Sequence, residues 1–352
     1  MTTAPPNVRH LRPADRLEAG DISADAIFRV GLGFRAAKAL LSAIELDLFT
    51  VLAAGALDGE ALRRRLGIHA RGARDFFDAL VALGLLERQD GFYRNTPATD
   101  HYLDRNKPSY VGEYFEHANT LLFEAWASLT QALRTGKPRY RLPDSDNPFA
   151  SAYADRGFLA KFARAMTGAS LPAAGALARR FAWNHYRTLI DIGAAEGGAL
   201  VEIARAHPHL SGGGFDLPVV ETVFESNIRR HGLADRLRFY PGDFLREPLP
   251  SADVLLMGHI LRDWDLARKQ QLLVKAHAAL SPGAALIVYD QMIDDERRLN
   301  ASGLLASLNM LVATPGGFDY TGADCIGWLR KAGFRDVRLE HLTGSYSMVV
   351  AK

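Results

Sequence analysis

Residues 186–198 read YRTLIDIGAAEGG. The first half is a short β-branched and apolar run, and the second is a glycine turn. The turn opens into GALVEIARAHP (198–208), whose apolar residues recur at helical spacing. Strand, glycine turn and helix are the opening of a parallel α/β unit. The rest of the chain repeats it. GGGFDLP (212–218) ends a second strand, followed by a helix, VVETVFESNIRRHG (219–232). LRFYPGDF (237–244) is a third strand, and ADVLLMGHIL (252–261) a fourth, with a helix over 263–280. ALIVYDQMI (285–293) is a fifth strand and TGADCIGWLRKAGF (321–334) a helix. RDVRLEHL (335–342) and GSYSMVVAK (344–352) pair as a terminal hairpin, which places an antiparallel strand in a mostly parallel sheet. The expected class is α/β, with a seven-stranded sheet over 179–352 covered by helices on both faces.

Upstream of residue 180 helical periodicity dominates. RVGLGFRAAKALLSAIELDLFTVLA (29–53) reads as one buried helix. A short helix follows over 58–68, with Asp58 able to cap its N-terminus, and a third over 69–88. RQDGFYRNTPAT (88–99) carries an Asp-Gly turn between two extended pieces, a hairpin signal. Three helices and a hairpin make a winged helix. Residues 108–176 are mainly helical, broken by a loop at 136–148. The expected domains are a loose, proline-bearing arm (1–20), a winged-helix domain (21–105), a helical linker and substrate cover (106–178), and the α/β domain (179–352).

Bulk properties exclude several classes. The formal charge of +2 gives no global field to recruit nucleic acid or an anionic membrane. The single cysteine, Cys325, excludes an internal disulfide and suits a reducing compartment. No apolar run is long enough to span a bilayer, and the first residues lack the apolar centre of a signal peptide. The expected location is cytoplasmic. No Cys/His spacing suggests a metal site. Arg63, Arg64, Arg65, Arg71 and Arg74 surround a helix of the winged-helix region, so a DNA-binding regulator stays open as an alternative.

The glycine turn decides the ligand. Gly193, Gly197 and Gly198 do not have the Gly-x-Gly-x-x-Gly spacing of a dinucleotide site. Acidic residues stand instead at three successive strand ends: Asp191, Asp216 and Asp243. A carboxylate at Asp216 can accept both hydroxyls of a ribose, and one at Asp243 can accept from an adenine amine. Three acids suit a cationic adenosyl ligand without phosphate, which favours S-adenosylmethionine over NAD.

In this order and spacing, DIGAAEG, FDLP, GDF, HILRDWD, LSPGAALIVYDQMI and TPGGFDYTGAD resemble the class I S-adenosylmethionine-dependent O-methyltransferases with an N-terminal winged-helix dimerisation domain. These are the plant caffeate-type and bacterial secondary-metabolite enzymes. The resemblance runs from about residue 20 to the end. It implies a Rossmann-like catalytic domain, a homodimer formed through the N-terminal domain, and a small-molecule acceptor. It places the cofactor against Gly193, Ala194, Gly197, Asp216, Leu217, Asp243, Phe244, Gly258 and His259, with Asp191 preceding the turn. Ala194 and Ala195 stand where the family usually has glycine.

The family's motif ends His-Asp-Trp, and its histidine takes the proton of the acceptor hydroxyl. Two acids hold that histidine; by spacing they are Asp290 and Asp319 here. The histidine position is Arg262. Arginine stays protonated at neutral pH and is a poor general base. Two roles remain: a structural pair with Asp290 and Asp319, or an anchor for an anionic acceptor. Methyl transfer would then rest on proximity and alignment. For the acceptor wall, Phe158, Phe162 and Met166 recur four residues apart, a spacing that equally fits ordinary core. The resemblance adds Asn309 and Met310; His117 and Asn119 are weaker candidates. Such a wall suits a flat aromatic or heteroaromatic acceptor. Transfer to nitrogen or carbon, or non-methylating chemistry on the same scaffold, stays open.

Overall fold

The computed structural model describes residues 24–139 and 147–352. The arm expected at 1–20 and the middle of the loop expected at 136–148 lie outside the described residues. The chain forms two compact units that divide between Phe123 and Glu124. Among the described residues no helix is long and apolar enough to cross a membrane.

In the first unit, the run 29–53 is not a single buried helix. It forms Asp25–Gly31, Gly33–Glu45 and Leu48–Ala53. Leu32 leaves helical geometry at the first break, and Asp47 turns left-handed, with φ 55°, at the second. The first of these helices buries nothing: Ile27, Phe28 and Val30 are 64%, 63% and 63% exposed. Periodicity reveals a helix and its apolar face, not what that face packs against. Asp58 caps Gly59–Leu66 as expected, accepting from the backbone N–H groups of Glu60 (2.9 Å) and Ala61 (2.8 Å). Leu62, Phe77, Leu80, Leu86 and Tyr93 form the core beneath this helix and Ala70–Ala82. The hairpin is shorter than expected, Leu86–Gln89 with Phe92–Asn95, because Thr96 and Pro97 start a capped helix, Pro97–Leu103. Asp90 and Gly91 make its turn with φ of 51° and 85°. An unforeseen third strand, Leu57–Asp58, pairs with Phe92–Asn95.

The second unit is built on a seven-stranded sheet. Its strands are β1 (Thr188–Ile192), β2 (Ser211–Asp216), β3 (Leu237–Pro241), β4 (Val254–Gly258), β5 (Ala285–Asp290), β6 (Val337–Thr343) and β7 (Tyr346–Ala351). The order is β3-β2-β1-β4-β5-β7-β6. β1 to β5 are parallel, and β7 lies antiparallel between β5 and β6. The alternation of strand side chains splits the core in two. Leu189 and Leu256 pack under helices Arg156–Arg180 and Gly198–Ala206. Ile190, Leu255 and Met257 pack under Leu266–Ala279 and Gly322–Ala332, where Cys325 is core filler. The strand order reverses between β1 and β4, and such a switch point opens a crevice at the carboxyl ends of the strands.

Candidate active site

A cavity lies over those strand ends. Asp191, Gly193 and Ala194 line it from the first turn, Asp216 and Leu217 from the second, Asp243 and Phe244 from the third, and Gly258 and His259 from the fourth. Of the expected cofactor positions only Gly197 is set back. With φ 81° it starts helix Gly198–Ala206 and packs against Phe224.

The turn fits an adenosyl group. Gly193 has φ 72°, and a Cβ on it would meet Ile260 at 2.3 Å, so only glycine leaves the mouth open. Asp216 accepts from Ala195 N–H (2.9 Å) and Leu217 N–H (2.7 Å) through different oxygens, leaving each a lone pair for a hydroxyl. Burial pushes its pKa up to about 6, against those two donors. Asp191 is pushed to about 8 by burial and then by Asp216. Asp243 accepts from Leu245 N–H at 2.9 Å. A crowd of carboxylates repels phosphate and suits a cation. Ala195 takes a left-handed φ of 49°, a backbone that explains glycine in its place elsewhere.

Part of the lining is aromatic. Phe149, Tyr153, Phe162 and Met166 line the cavity. Phe162 lies 6.1 Å from Phe149 and 5.9 Å from Tyr153, and Phe149 meets Trp264 at 5.9 Å. Sequence reasoning found Phe162 and Met166; Phe149 and Tyr153 gave no signal because they precede the periodic helix. Phe158 is not in this wall but stacks on Phe162 at 5.6 Å. Asn309 and Met310, on Ala301–Ala313, also fall outside the cavity lining. Asn309 accepts from Trp126 Nε1 at 2.8 Å, and Met310 is buried. His117 and Asn119 belong to the first unit. Burial lowers the His117 pKa to about 4, and Asn119 accepts from Lys38 and donates to Glu45 at 2.7 Å.

β4 leads into the turn HILRDWD. His259 is left-handed (φ 59°), and Leu261–Asp263 form one turn of 3₁₀ helix. Arg262 is buried and does not line the cavity. Its Nη2 donates to Asp319 Oδ2 at 2.7 Å and to the Ala306 carbonyl at 3.2 Å. The expected pairing with both acids is thus corrected. Among the described residues Arg262 pairs only with Asp319, while Asp290 accepts from Tyr320 OH at 2.5 Å through Oδ2. Burial works against the Arg262 charge, but Asp319 and Asp290 hold it above its ordinary pKa. Burial raises both acids, with Arg262 opposing. His259 Nδ1 lies 3.8 Å from Asp290, yet burial and then Arg262 lower its pKa to about 3, so it is neutral. Lys269, 0% exposed, props the turn from below: its Nζ donates to the Trp264 carbonyl and lies 3.5 Å from the Phe318 ring centre.

The residue missed in this turn is Asp263. It lines the cavity beside Trp264, and burial raises its pKa to about 7 against the opposing charge of Arg262. The signal was present in the motif, where it directly follows Arg262.

Two family models match the chain: an O-methyltransferase domain over residues 126–335 and an O-methyltransferase dimerisation domain over 28–105. The tetracenomycin polyketide synthesis 8-O-methyl transferase TcmO of Streptomyces glaucescens is 46% identical, covering 93% of this chain and 96% of the relative. The N,N-dimethyltransferase OxyT of Streptomyces rimosus is 36% identical, covering 94% and 96%. Among solved structures, human N-acetylserotonin methyltransferase in complex with S-adenosylmethionine (SAM) superposes with a TM-score of 0.86 at 26% identity, covering 96% and 99%. Read with the phosphate-repelling strand ends, these matches place the chain in the O-methyltransferase family with a dimerisation domain, as a SAM-dependent methyltransferase.

Proposed function

We propose that the chain methylates a hydroxyl on a flat, polycyclic aromatic acceptor of the polyketide type. The observation that carries this reading is that Phe149, Tyr153, Phe162 and Met166 line the same cavity as the acidic strand ends. A planar acceptor slides between rings and thioether with its polar edge toward the turn. The likeness to TcmO supports the choice of acceptor.

The bound donor supplies a methyl group on a positively charged sulfur. The chain does the rest. Asp216 holds the ribose, Asp191 and Asp243 complement the positive charge and the base, and Gly193 lets the backbone approach. Arg262 is a structural residue that ties the turn to Asp319, not a base. The rings exclude water and align the acceptor, which is the main source of rate here. The test is incubation with SAM and a panel of naphthols and hydroxyanthraquinones. The expected product gains one methyl per molecule of S-adenosylhomocysteine released. Release without a methylated product, or none with any phenol, sinks the reading.

Transfer to nitrogen is the second reading, favoured by the likeness to OxyT; aromatic amines in the same panel distinguish it. A homodimer completes the proposal. Phe28, Val30 and Phe34 are exposed within the matched dimerisation domain, and a second copy would cover them. Light scattering should give twice the chain mass.

A further inference from the structure

Arg262 cannot take a proton, and its Nη2 is committed to Asp319 and the Ala306 carbonyl. One residue on, the 3₁₀ turn presents a different group. Asp263 lines the main cavity and also a second pocket, bounded by Phe149, Trp264, Arg268 and the Thr314–Gly316 backbone. It thus stands where the cofactor space and the space beside it meet. Among the described residues its carboxylate accepts no hydrogen bond, whereas Asp191 aside, the other cavity acids are each held by backbone N–H groups. Its backbone is fixed: a Cβ on Gly317 would lie 2.8 Å from the Asp263 carbonyl carbon and 2.5 Å from the Arg262 oxygen.

We propose that Asp263 is the proton acceptor of this enzyme, the base having moved one residue along the turn from the position occupied by Arg262. This rests on the reading of the acceptor as an aromatic hydroxyl. In the step, the acceptor oxygen gives its O–H proton to a carboxylate oxygen of Asp263. The same oxygen forms the new bond to the methyl carbon, while the methyl–sulfur bond breaks and its electron pair stays on sulfur, leaving a neutral thioether. The proton then passes from Asp263 to water when product leaves. The surroundings suit the task. Burial most of all disfavours the ionised form, Arg262 beside it opposes this, Asp290 on β5 and Asp319 add to it, and Lys269 on Leu266–Ala279 again favours ionisation. The balance leaves the carboxyl at about 7, where a base is strong enough to accept a phenolic proton and still ionised at neutral pH.

The experiment compares wild type, Asp263→Asn and Asp263→Glu on a series of ring-substituted 2-naphthols of rising hydroxyl pKa, with calorimetry of S-adenosylhomocysteine binding alongside. Asp263→Asn should lose about 100-fold or more in kcat on the least acidic naphthols and much less on the most acidic, with KM and S-adenosylhomocysteine affinity held. Wild type should show an acid limb near pH 7, and Asp263→Asn should lose it. Asp263→Glu should recover part of the rate and move that limb. Equal losses across the series, or an unchanged acid limb in either variant, overturns the assignment of the base alone. If Asp263→Asn does not bind S-adenosylhomocysteine, the limb in Asp263→Glu decides. If wild type binds SAM yet methylates no naphthol, the hydroxyl-acceptor reading falls, and the base with it.

Discussion

The two ends of the cavity are built on different principles. At the strand tips of β1 to β3, the groups are held by backbone: Asp216 by two N–H donors and Asp243 by one. At the HILRDWD turn, the groups are held by charge: Arg262 by Asp319, with Lys269 buried beneath. The first arrangement tolerates little change, because each side chain also pins a turn. The second tolerates exchange at one position as long as the sum of buried charge is kept. On this difference the strand tips should be the less tolerant of substitution, and the HILRDWD turn the more sensitive to a change of charge.

The comparison breaks most sharply at Arg262. Arg262→Ala leaves Asp319 buried and unpaired, so thermal or urea unfolding should show a loss of about 3–5 kcal/mol. If stability is unchanged, the turn is not charge-held. At the other end, Asp216→Ala removes the acceptor of two N–H donors and, on the proposed reading, of the ribose. Calorimetry should find SAM affinity reduced by about 100-fold, roughly the value of two charge-assisted hydrogen bonds. Arg262→His in the same assay should bind SAM like wild type, which separates the two ends directly. Gly317→Ala is subtler. Its new methyl would press on the backbone of residues 262 and 263, so kcat should fall by about 10-fold while cofactor affinity holds.

Proton linkage sharpens the contrast further. Asp191 and Asp216 have raised pKa values of about 8 and about 6, so both gain protons as pH falls. A sulfonium favours their ionised forms. SAM binding should therefore weaken as pH drops from about 8 toward 6, by up to about 10-fold per unit, and level off above 8. S-adenosylhomocysteine, lacking the sulfonium charge, should show a shallower slope. The smallest effect is expected at Ala195, whose left-handed φ of 49° is relaxed by Ala195→Gly. Unfolding should show a gain of no more than about 1 kcal/mol.

Much of this was legible in the residues. The strand–helix alternation, the three acidic strand ends and the odd arginine at 262 can each be read without coordinates, because period and spacing report local geometry. What was not legible depends on packing across sequence. That Tyr320 bonds Asp290 while Arg262 pairs only with Asp319 depends on the register of two loops. Phe149 and Tyr153 join the wall from outside any periodic segment. Phe158 obeys the same four-residue spacing as Phe162 and Met166 yet lies behind the wall, since a helix face is broader than the cavity it meets. The breaks at Leu32 and Asp47 come from single backbone angles that apolar periodicity does not register.

The place of β7 has a consequence for how the molecule is made. β5, which carries Asp290, is flanked on one side by β4 and on the other only by β7, with Ser347 opposite Asp290 itself. During synthesis β5 leaves the ribosome long before that neighbour exists, and β6 has no partner but β7. The nascent chain therefore carries an open sheet edge beside Asp290 until residue 351 has emerged, a window in which a chaperone, or an early encounter with another chain, can act on it.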